Sequence, residues 1–344
     1  MNLQIISPIT YPDWDNLVLS HPDYSFFHSS AWAKVLSEAY GYTPLYFTVF
    51  QDGKLSALFP LMEVDSLLTG KRGVSLPFTD YCEPIVSDGI TFQELLNFVL
   101  AEGKERNWKY LELRSFKNLS PSDLPSFTYL GHTLNLSDKE NQTFSSFRDS
   151  TKRNIKKANK EGVEVKIFHS SESVGEFYRL NCTTRKQHGL PPQPYLFFKK
   201  VYDQIIHKNL GFVVLACFKD KPIAGAVYFY FGEKTVYKYG ASDLNYQNLR
   251  ANNLVMWEAV KWCCQNGFKH FCFGRTEPEN QGLIQFKSGW GTTEQQINYY
   301  KYDFKKGSFV SSPSKVTGFH NRIFKNIPLP ILNKVGSILY KHVG

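Results

Sequence analysis

The sequence predicts an α/β protein with mixed sheets, built from two copies of one strand-rich unit. Three observations lead there. The order hairpin, helix, strand occurs in residues 45–114 and again in residues 212–275. Landmarks keep nearly one spacing: Asp52 and Asp220, in the two hairpin turns, lie 168 positions apart, and Arg114 and Arg275, which close the last strands, lie 161 apart. A length of 344 residues suits two domains. Self-similarity at that period reads as duplication, because solenoid repeats are far shorter. The alternative is chance recurrence of helix-then-strand in any α/β chain.

Taken in order, Ser29-Ser30-Ala31-Trp32-Ala33-Lys34-Val35-Leu36 reads as a capped helix stopped by Gly41. Leu45 to Phe50 and Lys54 to Val64 alternate like strands around the turn Gln51-Asp52-Gly53. Phe92 to Arg106 has helical periodicity, and Lys109 to Arg114 is a strand. In the second copy, Phe212 to Lys219 and Ile223 to Phe231 are strands joined by Asp220-Lys221-Pro222. Val236 to Tyr239 is a third strand, Asn248 to Gln265 a helix ended by Asn266-Gly267, and Lys269 to Arg275 the closing strand. The expected domains are residues 1–140 and 141–306, followed by a basic, proline-interrupted tail over 307–344.

Between the copies, Arg148 to Lys160 holds six cations in thirteen positions, beginning near an Asp/Ser/Thr cap. A face carrying Lys152, Arg153, Lys156 and Lys157 could lie along phosphates, or it could be a solvated surface. Ser173 to His188 is helical, and Thr183 to Pro194, with Pro191, Pro192 and Pro194, reads as a stiff, proline-locked loop suited to a substrate wall or lid. His188 reads as structural there. The tail helix, about Ile331 to Val343, mixes Ile, Leu and Val with Lys334, Lys341 and His342. It is expected either to dock on the protein body or to form a peripheral membrane foot.

A net charge of +9 points to anionic partners. Six cysteines without Cys-x-x-Cys or zinc spacing read as reduced, mostly buried thiols, with the neighbouring Cys263 and Cys264 packed rather than redox-active. The amino terminus lacks a signal-peptide pattern and no window reaches about 18 uninterrupted apolar residues, so a cytoplasmic protein is expected. There is no dinucleotide fingerprint, P-loop or Gly-x-Ser-x-Gly elbow, which disfavours hydride transfer, P-loop phosphoryl transfer and the usual serine hydrolases.

Arg275 ends a strand, and Lys287 follows a polar loop within Gly282 to Gly291. Strand ends beside loops are where α/β proteins hold ligands, so both cations are candidates for an anion or an oxyanion. A surface ion pair and a solvated lysine are the plain alternative.

The strand-strand-strand-helix-strand order of the second half resembles the GNAT acyltransferase fold. In that fold a Gln/Arg-x-x-Gly-x-Gly/Ala turn opens the central helix and holds coenzyme A pyrophosphate on backbone N–H groups. Here Gln247-Asn248-Leu249-Arg250-Ala251-Asn252 stands at that place without either glycine. Together with the tandem arrangement, Trp32-Ala33-Lys34-Val35, Lys152 to Ala158 with Gly162-Val163-Glu164-Val165, Tyr237 to Ser242, and Leu283-Ile284-Gln285-Phe286-Lys287 resemble the FemAB-type peptidyltransferase family over residues 25–305. The resemblance implies two tandem GNAT-like domains and transfer of an aminoacyl group from aminoacyl-tRNA to an amine of a peptidoglycan or other envelope precursor, with no permanently bound cofactor. It implies Lys287 and Tyr239 as catalytic groups, with Lys34, Tyr237, Arg185, Arg275 and Phe286 binding substrate. On this reading tRNA lies on the basic helix, and the protein is either cytoplasmic or peripheral at the inner membrane face through its tail. The long helical arm of the larger members is absent, and the tail resembles that of exopolysaccharide-associated relatives. Two alternatives stay open: an acyl-CoA or acyl-carrier donor acting on an amino sugar, and a non-catalytic tRNA- or anion-binding module.

Overall fold

The computed structural model describes residues 3–87, 91–115, 119, 124–311 and 319–344. In chain order the first elements are β1 (Leu3–Ile6), α1 (Trp14–Leu19), α2 (Ser30–Tyr40), β2 (Thr43–Gln51), β3 (Lys54–Val64), β4 (Arg72–Val74), β5 (Ile85–Val86), α3 (Phe92–Glu105) and β6 (Tyr110–Arg114). Then come β7 (Phe127–Asn135), α4 (Glu140–Ser145), α5 (Asp149–Lys160), β8 (Glu164–Phe168), α6 (Ser171–Gln187) and α7 (Tyr195–Val201). The second hairpin is β9 (Gly211–Phe218) and β10 (Lys221–Phe231), followed by β11 (Lys234–Ser242), α8 (Ala251–Gln265), β12 (His270–Thr276), α9 (Gln281–Ser288) and β13 (Thr293–Asp303). The tail carries α10 (Phe319–Asn326) and α11 (Leu329–Val343).

Two compact units result. One comprises Met1–Tyr129, Gln296–Lys315 and Leu339–Gly344, and the other Leu130–Gln295 and Val316–Ile338. The division therefore falls near residues 129 and 295, not at the expected 140 and 306. Pairing explains it: β13 runs antiparallel to β6 from Tyr299 to Asp303, and β7 runs antiparallel to β12 from Leu130 to Asn135. The first unit thus takes β13 from far along the chain, and the second pairs its opening strand, β7, with its late strand β12.

The repeat is physical. In the first unit β2, β3 and β4 form an antiparallel meander, α3 follows, and β6 returns parallel to β4. In the second, β9, β10 and β11 form the meander, α8 follows, and β12 returns parallel to β11. Both hairpins turn on two left-handed residues, Asp52-Gly53 (φ 50° and 74°) and Lys219-Asp220 (φ 49° and 62°), the conformation that matches strand twist. The second turn sits one residue earlier than its sequence suggests. Pro222 lies inside β10, beside a register irregularity that spares its missing donor.

Helix ends follow side-chain chemistry. Ser29 caps α2 by accepting from Trp32 N, Gly41 ends it at φ 75°, and Thr91 and Glu94 cap α3 reciprocally. The expected helix from Asn248 is shortened. Asp243 caps a 3-10 turn over Leu244–Leu249, Arg250 takes a left-handed φ of 59°, and α8 starts only at Ala251. α5 forms where expected, but Arg148 precedes it without a side-chain cap. It buries Thr151, Ile155 and Ala158 along one stripe and leaves Arg153, Lys156, Lys157 and Lys160 exposed.

The core of the second unit joins α8 residues such as Val260 and Cys263 to Phe212, Tyr228, Phe271 and Trp290. No disulfide joins any of the six cysteines. Burial holds the Cys263 thiol up at about 12, which leaves the neighbouring pair packed and unreactive. On α11, Leu332 and Gly336 are buried while Ile331, Lys334, Ile338 and Lys341 are exposed. No helix among the described residues is long and apolar enough to cross a membrane.

Candidate active site

The second unit opens where its two parallel strands part. β11 and β12 pair with each other through Lys234–His270, Thr235–Phe271 and Val236–Cys272; beyond these they continue to Ser242 and Thr276 paired only to their outer neighbours, β10 and β7. A cavity of ≈ 340 Å³ lies at the end of β11. Its apolar wall includes Tyr228, Tyr237, Val255, Met256 and Phe286, and its polar groups are Thr184, His188, Ser242 and Asn252. A few polar groups on an apolar wall are the composition of a small-molecule site.

A bulge decides which side chains face this cavity. Val227 pairs with Tyr239 but Tyr228 pairs with Tyr237, so Lys238 is an extra residue and the inward-outward alternation slips. Tyr237 lines the cavity and packs near Tyr228. Tyr239 instead packs on Phe197 and Phe198 of α7. The sequence suggests that these two tyrosines share one face; the bulge separates them. Burial pushes the Tyr237 hydroxyl up to about 12, so it remains a neutral phenol at pH 7. Its hydroxyl end lies against the Cα of Gly240, where any Cβ would overlap it.

The polar side is a connected network. Ser242 N donates to Thr184 Oγ1 (3.0 Å), Thr184 Oγ1 donates to Ser242 O (3.1 Å), and Asn252 Nδ2 donates to Ser242 Oγ (3.1 Å). These bonds tie the end of β11 to α6 on one side and to the start of α8 on the other. Ser242 Oγ accepts one of them, so its own O–H is still a donor.

His188 joins this group at the end of α6. Partial desolvation, and then the Arg185 and Lys325 cations, hold its pKa below the usual imidazole value of 6.5. The ring is therefore neutral at pH 7 and able to take a proton. Thr184, His188, Ser242 and Asn252 were not among the residues that sequence reasoning selected. Their signal was weak: a lone histidine after a helix, and small polar residues at element ends.

Lys287 is 2% exposed, and its ammonium donates to the carbonyls of Gly274 and Arg275 (3.0 Å each). It is absent from the cavity wall, although Leu283 and Phe286 of the same helix are present. The two carbonyls belong to the irregular part of β12 between Cys272 and Arg275, opposite His132 of β7. His132 is fully buried, 3.2 Å from Glu294, and its pKa is lowered by desolvation and then by Lys287. Lys287 thus braces the strand at the point where the crevice opens.

The other selected residues are dispersed. Arg185 donates to Pro191 O (3.4 Å), which holds the proline loop beside His188. Arg275 lies on β12 opposite Gly131, outside the cavity wall. Lys34 stands half-buried on α2 of the first unit. Lys152 donates to Ser145 O (2.8 Å), whereas Arg153, Lys156 and Lys157 face solvent. The start of α5 is fixed to the end of α9 by Arg148 N and Thr151 Oγ1, both donating to Gly289 O (2.9 and 3.0 Å).

At the uncapped start of α8 a second cavity of ≈ 150 Å³ is lined by Tyr246, Gln247, Arg250 and Asn253, and it shares Ser242, Asn252 and Phe286 with the first. A helix start of this kind favours an anion, and Arg250 adds a cation where the GNAT turn has glycine. Among the described residues no group of three or more His, Cys, Asp or Glu could hold a metal ion.

A meander, a central helix and a parallel strand that splays from it define the acyltransferase class of GNAT folds, and residues 145–288 match the family model described as an acetyltransferase (GNAT) domain. Over 87 residues the chain is 32% identical to the lipid II:glycine glycyltransferase of Staphylococcus haemolyticus (strain JCSC1435), a match that spans 23% of this chain and 21% of that protein. In fold it is similar to FemX, with a TM-score of 0.65 at 16% identity over 88% of this chain and 97% of FemX. It is also similar to a tandem GNAT protein from the clavulanic acid biosynthesis pathway, with a TM-score of 0.54 at 8% identity over 88% of this chain and 98% of that one. These matches give the chain a GNAT fold.

Proposed function

We propose that the chain is an aminoacyltransferase that moves an aminoacyl group from the ester of a charged tRNA to an amine of an anionic cell-envelope precursor. The observation that carries the reading is the cavity at the splayed end of β11, with an apolar wall for an acyl group and a polar side for its reacting carbonyl. The staphylococcal relative's name, lipid II:glycine glycyltransferase, supplies the acceptor class.

The chemistry follows from those residues. The amine attacks the ester carbonyl, a C–N bond forms, and the carbonyl oxygen becomes an oxyanion. The Ser242 hydroxyl, oriented by Asn252, donates to it, and His188 takes the proton released by the nitrogen. Collapse of the intermediate breaks the ester C–O bond, and the departing ribose hydroxyl receives the proton. Lys287 acts through the strand that it braces, and Tyr239 has no part in this scheme. The second cavity and α5 would hold the phosphates of the donor, and Arg275 those of the acceptor.

The reading is tested by following radiolabel into an envelope-precursor fraction from charged total tRNA and, separately, from labelled acetyl-CoA. Label arriving from tRNA alone is expected. Label arriving from acetyl-CoA alone would make the protein an acyl-CoA transferase on the same frame, and label from neither would leave the anion-binding reading.

Two further results are expected. Reversing Arg153, Lys156 and Lys157 to Glu weakens binding of charged tRNA by about 10²-fold near 0.1 M salt and flattens its salt dependence, as measured by filter binding at several ionic strengths. The pH profile of transfer should show an acid limb with its midpoint below 6.5, because the rate is lost only once His188 protonates. Arg185→Gln removes a cation that disfavours the protonated ring, so it moves that limb upward. His188→Gln abolishes the limb and lowers the rate by roughly 10²-fold.

A further inference from the structure

The first unit carries an apolar feature that the transfer chemistry does not use. Between β3 and β4 the chain turns through Asp65-Ser66-Leu67-Leu68-Thr69-Gly70, and at its tip Leu67 is 100% exposed and Leu68 65%. Such residues usually sit on mobile loops, but this turn is held. Ser66 Oγ accepts from Leu68 N (3.2 Å) and Thr69 N (3.0 Å), Gly70 N donates to Ser66 O (2.7 Å), and Arg72 Nη1 donates to Thr69 Oγ1 (2.6 Å).

The same turn is fastened to the last residues of the chain. Ser66 Oγ and His342 Nδ1 lie 2.9 Å apart, and buried Arg72 donates through Nη2 to His342 O (2.9 Å). Val343, 57% exposed, follows. Lysines accompany the turn: Lys109 lies across Gly70, whose φ of 83° and lack of a Cβ permit that approach, Lys71 pairs with Glu63 (3.4 Å), and Lys341, beside His342 in sequence, is exposed. Asp65 is the acid within the turn, and the chain as a whole carries +9.

We propose that this turn docks on an anionic lipid bilayer, with Leu67 and Leu68 entering the headgroup–acyl boundary and the lysines meeting lipid phosphates. A protruding tip of two leucines is far smaller than the roughly 800 Å² per partner of a stable protein interface, whereas a bilayer accepts a small insertion assisted by basic side chains. The rigid turn has its ordering cost met in the folded protein, so insertion adds apolar contact without freezing a loop.

The test uses the full chain and vesicles of phosphatidylcholine with or without phosphatidylglycerol. Wild type should co-sediment with the phosphatidylglycerol vesicles, less at high salt, and Leu67→Glu/Leu68→Glu should bind at least tenfold more weakly with an unchanged circular dichroism spectrum. As a second readout, the indole emission of a Leu67→Trp variant should shift to the blue on adding phosphatidylglycerol vesicles. Equal binding by the glutamate variant, an unmoved emission spectrum of the Leu67→Trp variant, or a turn-dependent dimer in sedimentation velocity without vesicle binding would each overturn the proposal. Neither donor nor acceptor is present, so failure here leaves the transfer reading standing.

Discussion

Replacing Lys287 by Ala is expected to lower the melting temperature of the second unit by about 6–12 °C and to reduce transfer by roughly 10²-fold. The ammonium is 2% exposed and satisfies the carbonyls of Gly274 and Arg275. Removing it strands one buried and one partly buried acceptor and opens a void, together about 3 kcal/mol, which for a domain of this size corresponds to that shift. The loss of rate follows because β12 is held by those bonds at the point where it leaves β11. Differential scanning calorimetry beside a single-turnover assay separates two roles. Loss in both is expected of a brace; loss of transfer at unchanged melting temperature would mean that the ammonium leaves its carbonyls to meet substrate.

The second large effect concerns Gly240, whose Cα supports the hydroxyl end of Tyr237. Gly240→Ala introduces a methyl group into that half-buried ring, which has to shift and so disturbs the cavity wall that it forms. Overpacking of this kind costs about 1–3 kcal/mol. A displaced wall should lower kcat/KM by roughly 10–10²-fold, because a misplaced carbonyl forfeits its orientation. Adding Tyr237→Phe removes the atom that clashes most and should restore part of both losses, so the double-mutant cycle is expected to show positive coupling. Independent, additive losses would show that the two positions do not share the cavity wall.

Much of the fold was legible because local rules governed it. Asp52-Gly53 and the Lys219-Asp220 turn mark hairpins by backbone chemistry, Ser29 and Gly41 bracket a helix, and the recurrence of that order exposed the duplication. The placing of β7 and β13 was not legible, since both find their partners through contacts far apart in sequence. The site was legible only in part. Tyr237 and Phe286 line the cavity, but Tyr237-Lys238-Tyr239 reads as strict alternation, and nothing in those residues announces a bulge at Lys238. A lysine in a polar, glycine-flanked stretch reads as exposed, yet Lys287 is buried because the ends of β12 and α9 present it with two carbonyls. His188 reads as structural, because the cavity that it lines is assembled from α6, β10, β11, α8 and α9.

The central claim is that the aminoacyl group of the donor occupies the crevice of the second unit. Charging tRNA with a diazirine amino acid, irradiating it with the full chain and sequencing the modified peptides tests this most directly. Crosslinks are expected in Tyr237–Ser242, in the first turns of α8 and at Leu283 or Phe286, and Gly240→Ala should reduce them. Crosslinks confined to α5 or to the first unit, with the cavity wall unmodified, would contradict the claim.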